Sequence, residues 1–156
     1  MRSPNPDPKT PWLVIGYGNT LRRDDGLGPR LAEAIDQLNL PGTQTISRAL
    51  LTPELAEPIA RARRLVFVDA SIERQAIVRL RRLSPAASSQ IMAHTADAPT
   101  LLALARDVFG HAPQAWCLTV PAYDLSIGED LSPKSQQALA QAIKKLTRLI
   151  KSANAR

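Results

Sequence analysis

Three short runs of apolar, partly branched residues, WLVI at 12–15, LVFV at 65–68 and WCLTV at 116–120, are separated by long stretches whose apolar residues recur at helical spacing. Runs this short, bounded by turn formers, read as strands buried on both faces. Two weaker strands fall at 44–47 and 76–80, the second alternating Ile77, Val78, Arg79 and Leu80 and so belonging near an edge. Helical patterns fill the gaps. Residues 27–38 carry Pro29 in a first turn, and "LTPELAEPIAR" sets Thr52 as an N-cap before Pro53, with Pro58 shortening or kinking the helix. Residues 98–109 follow "HTAD" and stop at Gly110, with Leu101, Leu102, Leu104, Ala105, Val108 and Phe109 as the buried stripe. Ser132 and Pro133 open a last helix whose apolar face runs through Ala138, Leu139, Ile143, Leu146, Leu149 and Ile150. The order β, α, β, α, β, β, α, β, α predicts an α/β fold: a mostly parallel twisted sheet of about five strands with helices on both faces. Its functional residues should lie in loops at the carboxyl ends of the strands.

A chain of 156 residues has room for one such core and not for two comfortable domains. The N-terminus, "MRSPNPDPKTP", is polar and proline-rich, with no apolar stretch to serve as a secretion signal or a membrane span. Residues 1–10 are therefore expected to be a disordered tail, residues 11–156 a single domain, and the protein cytoplasmic. The lone cysteine, Cys117, excludes an intramolecular disulfide framework and fits a reducing compartment. Twenty Lys and Arg against fourteen Asp and Glu give a net charge of +6. The basic residues form short scattered clusters with almost no aromatics between them for base stacking, so solvated faces or a surface for an acidic protein partner are expected rather than a nucleic-acid groove.

The loop after the first strand, "GYGNTLRRDDGLG", poses the chemical question. A glycine-rich turn between strand and helix usually cradles a phosphate, but the adjacent acids Asp24 and Asp25 would repel one. The dinucleotide pattern also fails: Leu21 occupies the third glycine position, and the second strand, Thr45-Ile46-Ser47-Arg48, ends without an acid. The third strand leads into Asp69-Ala70-Ser71, and the loop before the 98–109 helix carries His94. Acids and an imidazole at three carboxyl-end loops have the donor chemistry of a hard-to-borderline metal site with positions left open. Each has a plainer role available: Asp25 as a helix cap, Asp69 bonded to backbone at a strand end, His94 as an exposed loop residue.

Together, "GYGNTLRRDDGLG", "VFVDAS", the histidine of "IMAHTAD" and "LTVPAYDLSIGEDLSPKSQQAL" resemble the hydrogenase maturation endopeptidase family, across nearly all of the chain after the tail. That family trims the C-terminal extension from the large-subunit precursor of nickel-iron hydrogenases. The most specific element is Gly-x-Gly-Asn, a gap of four, then Asp-acid-Gly-x-Gly. The resemblance implies an α/β sandwich, a peptidase activity, and Asp25, Asp69 and His94 as catalytic and metal-contacting positions. It also implies that the metal is nickel already installed in the substrate, so that no permanently bound metal is expected. The stretch Arg48 to Leu55 lacks the Gly-Gly-Thr of some members and is similar to another subgroup.

On this reading Gly16 and Gly18 let the loop pack tightly, Asn19 bonds the turned backbone, Gly26 lets the chain reverse, and Asp24 caps or braces the loop while Asp25 meets the cation. Cys117 lies within an apolar strand and is expected to pack in the core. Ser71 lacks a nucleophile elbow, His111 reads as surface, and the His-Glu-x-x-His zinc-peptidase helix is absent. A non-enzymatic alternative, a metal-responsive binding module or nickel chaperone, would use the same three residues.

Overall fold

The computed structural model describes residues 10–73, 77–89 and 96–154. Its elements follow the expected order: β1 (Thr10–Tyr17), α1 (Leu27–Gln37), β2 (Thr43–Arg48), α2 (Ala56–Ala60), β3 (Ala62–Ser71), β4 (Arg79–Leu83), α3 (Ala98–Phe109), β5 (Gln114–Pro121) and α4 (Pro133–Asn154). Single 3-10 turns, Arg23–Gly26 and Pro53–Leu55, lead into α1 and α2. Of the tail expected over residues 1–10, only Thr10 is described, and it opens β1.

The strands form one sheet in the order β2-β1-β3-β5-β4. The first four run parallel, and β4 lies antiparallel against β5 at the edge. The apolar runs explain this order. β1, β3 and β5 are buried on both faces and occupy the centre, whereas β2 (TQTISR) and β4 (RLRRL) carry polar residues that only an edge tolerates.

Period-2 alternation divides each central strand between two cores. Trp12, Val14, Val66, Val68, Leu118 and Val120 pack beneath α1 and α4, against Leu31, Ile35, Leu146 and Ile150. Leu13, Ile15, Leu65, Phe67 and Ala115 face the other way, against Ile59 of α2 and Leu101, Leu102 and Ala105 of α3. Each fully buried aliphatic side chain contributes about 1.5–3 kcal/mol, and the two layers of helices cover both faces of the sheet. No helix among the described residues is long and apolar enough to cross a membrane.

Several expectations are corrected. Of the edge strand expected over 76–80, Ala76 lies outside the described residues and 77–78 are not strand; pairing starts where Arg79 meets Thr119 and runs on to Leu83, opposite Ala115. Val108 and Phe109 are exposed, 62% and 40%, because the buried face of α3 ends at Ala105. Thr52 makes no side-chain cap bond, and Pro53 starts a 3-10 turn instead of a full helix. His111 is half-buried rather than on the surface, its Nε2 lying 3.0 Å from the Ala62 carbonyl oxygen. Gly110 does end α3 as expected, taking φ of 82°; at the other end Asp97 is the N-cap, accepting from the Thr100 amide at 2.8 Å.

Candidate active site

Parallel connections make β1 run out to β2 on one side and leave β3 on the other, so the loops after β1 and β3 diverge. A crevice at such a switch point is where open α/β sheets bind ligands. Gly16 pairs with Val68, which sets Tyr17 beside Asp69 and brings the acid-bearing loop over the end of β3.

That loop is held by close backbone approaches. A Cβ on Gly16 would collide with the Gly28 carbonyl, and one on Gly18 with the carbonyl of Asp25; Gly18 also has φ of 146°. Gly26 acts differently from expectation. Its φ of −81° is open to any residue, and its lack of a side chain matters because a Cβ would press on Thr20 Cα at 2.9 Å. Asn19 does bond the turned backbone, its Oδ1 accepting from the Leu21 amide at 2.9 Å.

The adjacent acids are put to different uses. Asp24 is fully buried and braces the loop against the segment after β5. It accepts from the amides of Tyr123, Asp124 and Ser132 and from the Ser132 hydroxyl, all at 2.8 Å. Burial alone would push this carboxyl up, but hydrogen bonds from Ser135, Ser132 and Tyr123 outweigh it and hold the pKa at about 2. Arg23, in the left-handed region at φ of 43°, donates its amide to the Gly128 carbonyl at 2.8 Å and tightens the same seam.

Asp25 is half-buried and does not cap α1; its Oδ2 accepts from the Asn19 amide at 2.8 Å, within its own loop. Asp69, also half-buried, accepts from the Tyr17 hydroxyl. Burial pushes the Asp69 carboxyl up and the Asp25 charge pushes it further, while the Tyr17 hydrogen bond and Arg81 pull it down. Burial and the Asp69 charge in turn push the Tyr17 phenol up, so it stays a neutral donor. The structure thus brings Asp25 and Asp69 within electrostatic reach of each other. His94 lies outside the described residues, among which no three His, Cys, Asp or Glu side chains gather closely enough to hold a metal ion.

Cys117 is 6% exposed, and burial pushes its thiol up, away from the thiolate a nucleophile requires. The exposed apolar side chains Leu21, Leu50, Ile72, Ile77, Tyr123 and Ile127 all sit in loops at this end of the sheet.

No protein-family model and no curated protein matches the sequence. Solved structures do match. The hydrogenase maturating endopeptidase HybD from E. coli superposes with a TM-score of 0.67 at 19% identity, over 92% of this chain and 94% of that one. A hydrogenase 2 maturation peptidase from a Thaumarchaeota archaeon gives 0.66 at 18%, over 90% and 98%. The [NiFe] hydrogenase maturation protease HycI from Thermococcus kodakarensis gives 0.66 at 18%, over 91% and 93%. The fold is that of the hydrogenase maturation peptidases. Within this maturation-peptidase fold, sequence reasoning missed Tyr17, which it treated only as a spacer between glycines. It also missed Arg81, which lowers the pKa of Asp69 from the edge strand and lies one residue beyond the strand expected to end at Leu80.

Proposed function

We propose that the protein is an endopeptidase that removes the C-terminal extension of a nickel-iron hydrogenase large-subunit precursor. The observation that carries this reading is the separation of the two loop acids: Asp24 is consumed as a buried brace, and Asp25 is left beside Asp69 at the switch point. Two carboxylates kept close and half-buried repel each other, and the pair is relieved by a shared cation. Asp25, Asp69 and His94 would contact nickel carried by the precursor. These three residues would fix the position of that nickel, which would supply polarisation of the neighbouring peptide carbonyl or of an attacking water.

A folded protein substrate fits the rim. Apolar side chains from the loops after β1, β2, β3 and β5 stand exposed around the acids, as they do where one protein docks on another. The positive balance of the chain favours an acidic partner surface. Co-expression with a large-subunit precursor, followed by mass spectrometry of the precursor, tests the reading. Wild-type protein should shorten it, and Asp25→Ala, Asp69→Ala and His94→Ala should each leave it full length while remaining folded. A nickel chaperone or binding module would leave the precursor uncut in every case. A folded Asp25→Ala protein that cuts normally would remove the basis of the assignment.

A further inference from the structure

The outer face of α4 carries one sign of charge. Lys134, Lys144, Lys145, Arg148 and Lys151 are all exposed, and the helix holds no Asp or Glu. None of these cations has an ion-pair partner among the described residues. A helix face that is merely solvated gains from alternating signs, because residues three or four apart are neighbours. Here Lys144 with Arg148, Lys145 with Arg148, and Arg148 with Lys151 sit at those spacings and repel. Attraction to the helix C-terminus accounts for Lys151, in the last turn. It does not account for Lys144 and Lys145, which stand about two and a half turns from the end.

Helix geometry fixes where this charge points. α1 lies over β2 and β1, and α4 lies beside it over β5. Gln136 lines a groove shared with Arg30 and Glu33 of α1, and Asn154 donates to the Pro41 carbonyl after α1. These two residues mark the flank of α4 that meets α1. Lys145 is midway between them, about two and a half turns from each, and so lies on the opposite flank, toward the β4 edge. Arg82 of β4 belongs to this face as well: it stacks on Trp116 at 4.9 Å, and Trp116 packs in the core beneath α4. At the start of the helix Lys134 stacks on the Tyr123 ring at 5.5 Å, and Tyr123 is part of the exposed rim around the acids. The cations therefore run from the rim down the helix over about 25 Å.

We propose that this face, α4 together with Arg82, docks an acidic surface of the large-subunit precursor. The rim takes the apolar part of the contact, and the cations of α4 steer and orient the precursor over the acids. No exposed large apolar side chain lies on α4 or β4, so the face lacks what contact with a bilayer would bury. Guanidiniums cover both tryptophans, so neither ring is open for base stacking. Unpaired cations continuous with a protein-docking rim call for an acidic protein. That the protein is the precursor rests on the peptidase reading; the preference for an acidic surface rests on the face itself.

Association kinetics of the full chain with immobilised nickel-loaded precursor test it, comparing Lys145→Glu/Arg148→Glu with Arg61→Glu/Arg106→Glu. The second pair changes the net charge equally but removes cations that already have carboxylates of their own, Glu57 and Asp107, away from α4. Reversal on α4 should slow association about tenfold at low salt and hardly at all at high salt, with kcat for shortening unchanged. The control pair should stay within about twofold of wild type. Because glutamates toward a helix C-terminus oppose its dipole, Lys145→Gln/Arg148→Gln serves as the gentler variant, with about a threefold loss expected. Equal losses in the two reversed pairs, no loss on α4, or no binding of precursor by the wild-type protein would overturn the docking face. So would a reversal that abolishes binding of a DNA duplex or of phosphatidylserine vesicles while sparing the precursor. Association is read apart from cutting: a precursor that docks through α4 but is never shortened sinks the peptidase reading alone. One that is shortened, with association insensitive to the reversal, sinks the docking face alone.

Discussion

Burial at Asp24 would by itself favour the protonated acid, yet the hydrogen bonds it accepts keep its carboxyl near pKa 2, below the ordinary 3.8. A pKa depressed in the folded state contributes stability that is present above the unfolded value and is lost as pH falls through the folded one. The contribution from Asp24, about 2 kcal/mol, should therefore be intact at pH 5 and disappear between about pH 4 and pH 2. Urea denaturation of wild type and Asp24→Asn across this range checks it: the gap between them should narrow by about that amount as the solution is acidified. A gap independent of pH would mean that Asp24 is not ionised in the fold. Asp69 differs in sign. Burial and the Asp25 charge raise its pKa, and Tyr17 lowers it. Carboxyl titration by 13C NMR should thus find Asp69 shifted down in Asp25→Asn and up in Tyr17→Phe. Reversed or absent shifts would separate the three groups.

Among the elements, the crossing of β1 and α1 places the site, because the backbone of Gly16 touches that of Gly28 with no room for a side chain. Gly16→Ala forces the strand and the helix apart, and overpacking of this kind costs about 1–3 kcal/mol or more. Thermal melting should show a lower midpoint, whereas an unchanged one would mean that the crossing is loose. The glycines of this crossing were legible from spacing, as were the order of elements, the edge position of β4 and the ends of α3, since local periodicity and capping dictate them. What β4 pairs with first, and how far α3 is covered, depend on distant elements, so the start at Arg79 and the exposure of Val108 and Phe109 were not. For the site, the bracing role of Asp24 was legible because adjacent side chains in a tight turn diverge. The Tyr17–Asp69 contact arises from parallel register between strands far apart in sequence, which no local pattern encodes.

At the scale of the whole molecule, the two faces of the sheet are sealed by α1 with α4 and by α2 with α3, which leaves the carboxyl end of the sheet as the place where acids, arginines and exposed apolar side chains meet. The two arginine clusters on the strands serve partly as structure: Arg64 stacks over Trp12 at 5.6 Å and Arg82 over Trp116 at 4.9 Å, on rings that themselves lie 5.5 Å apart. On the proposed function, recognition of the substrate falls to the switch-point end, where Asp25 and Asp69 would meet its cation. If nickel in the substrate is that cation, cutting depends on metal insertion, and the protein acts as a checkpoint on it. The direct measurement is incubation of the purified protein with nickel-loaded and nickel-free large-subunit precursor, followed by intact-mass analysis of both. The nickel-loaded precursor should lose its C-terminal extension and the nickel-free precursor should keep it; equal shortening of the two, or none of either, would contradict the central claim.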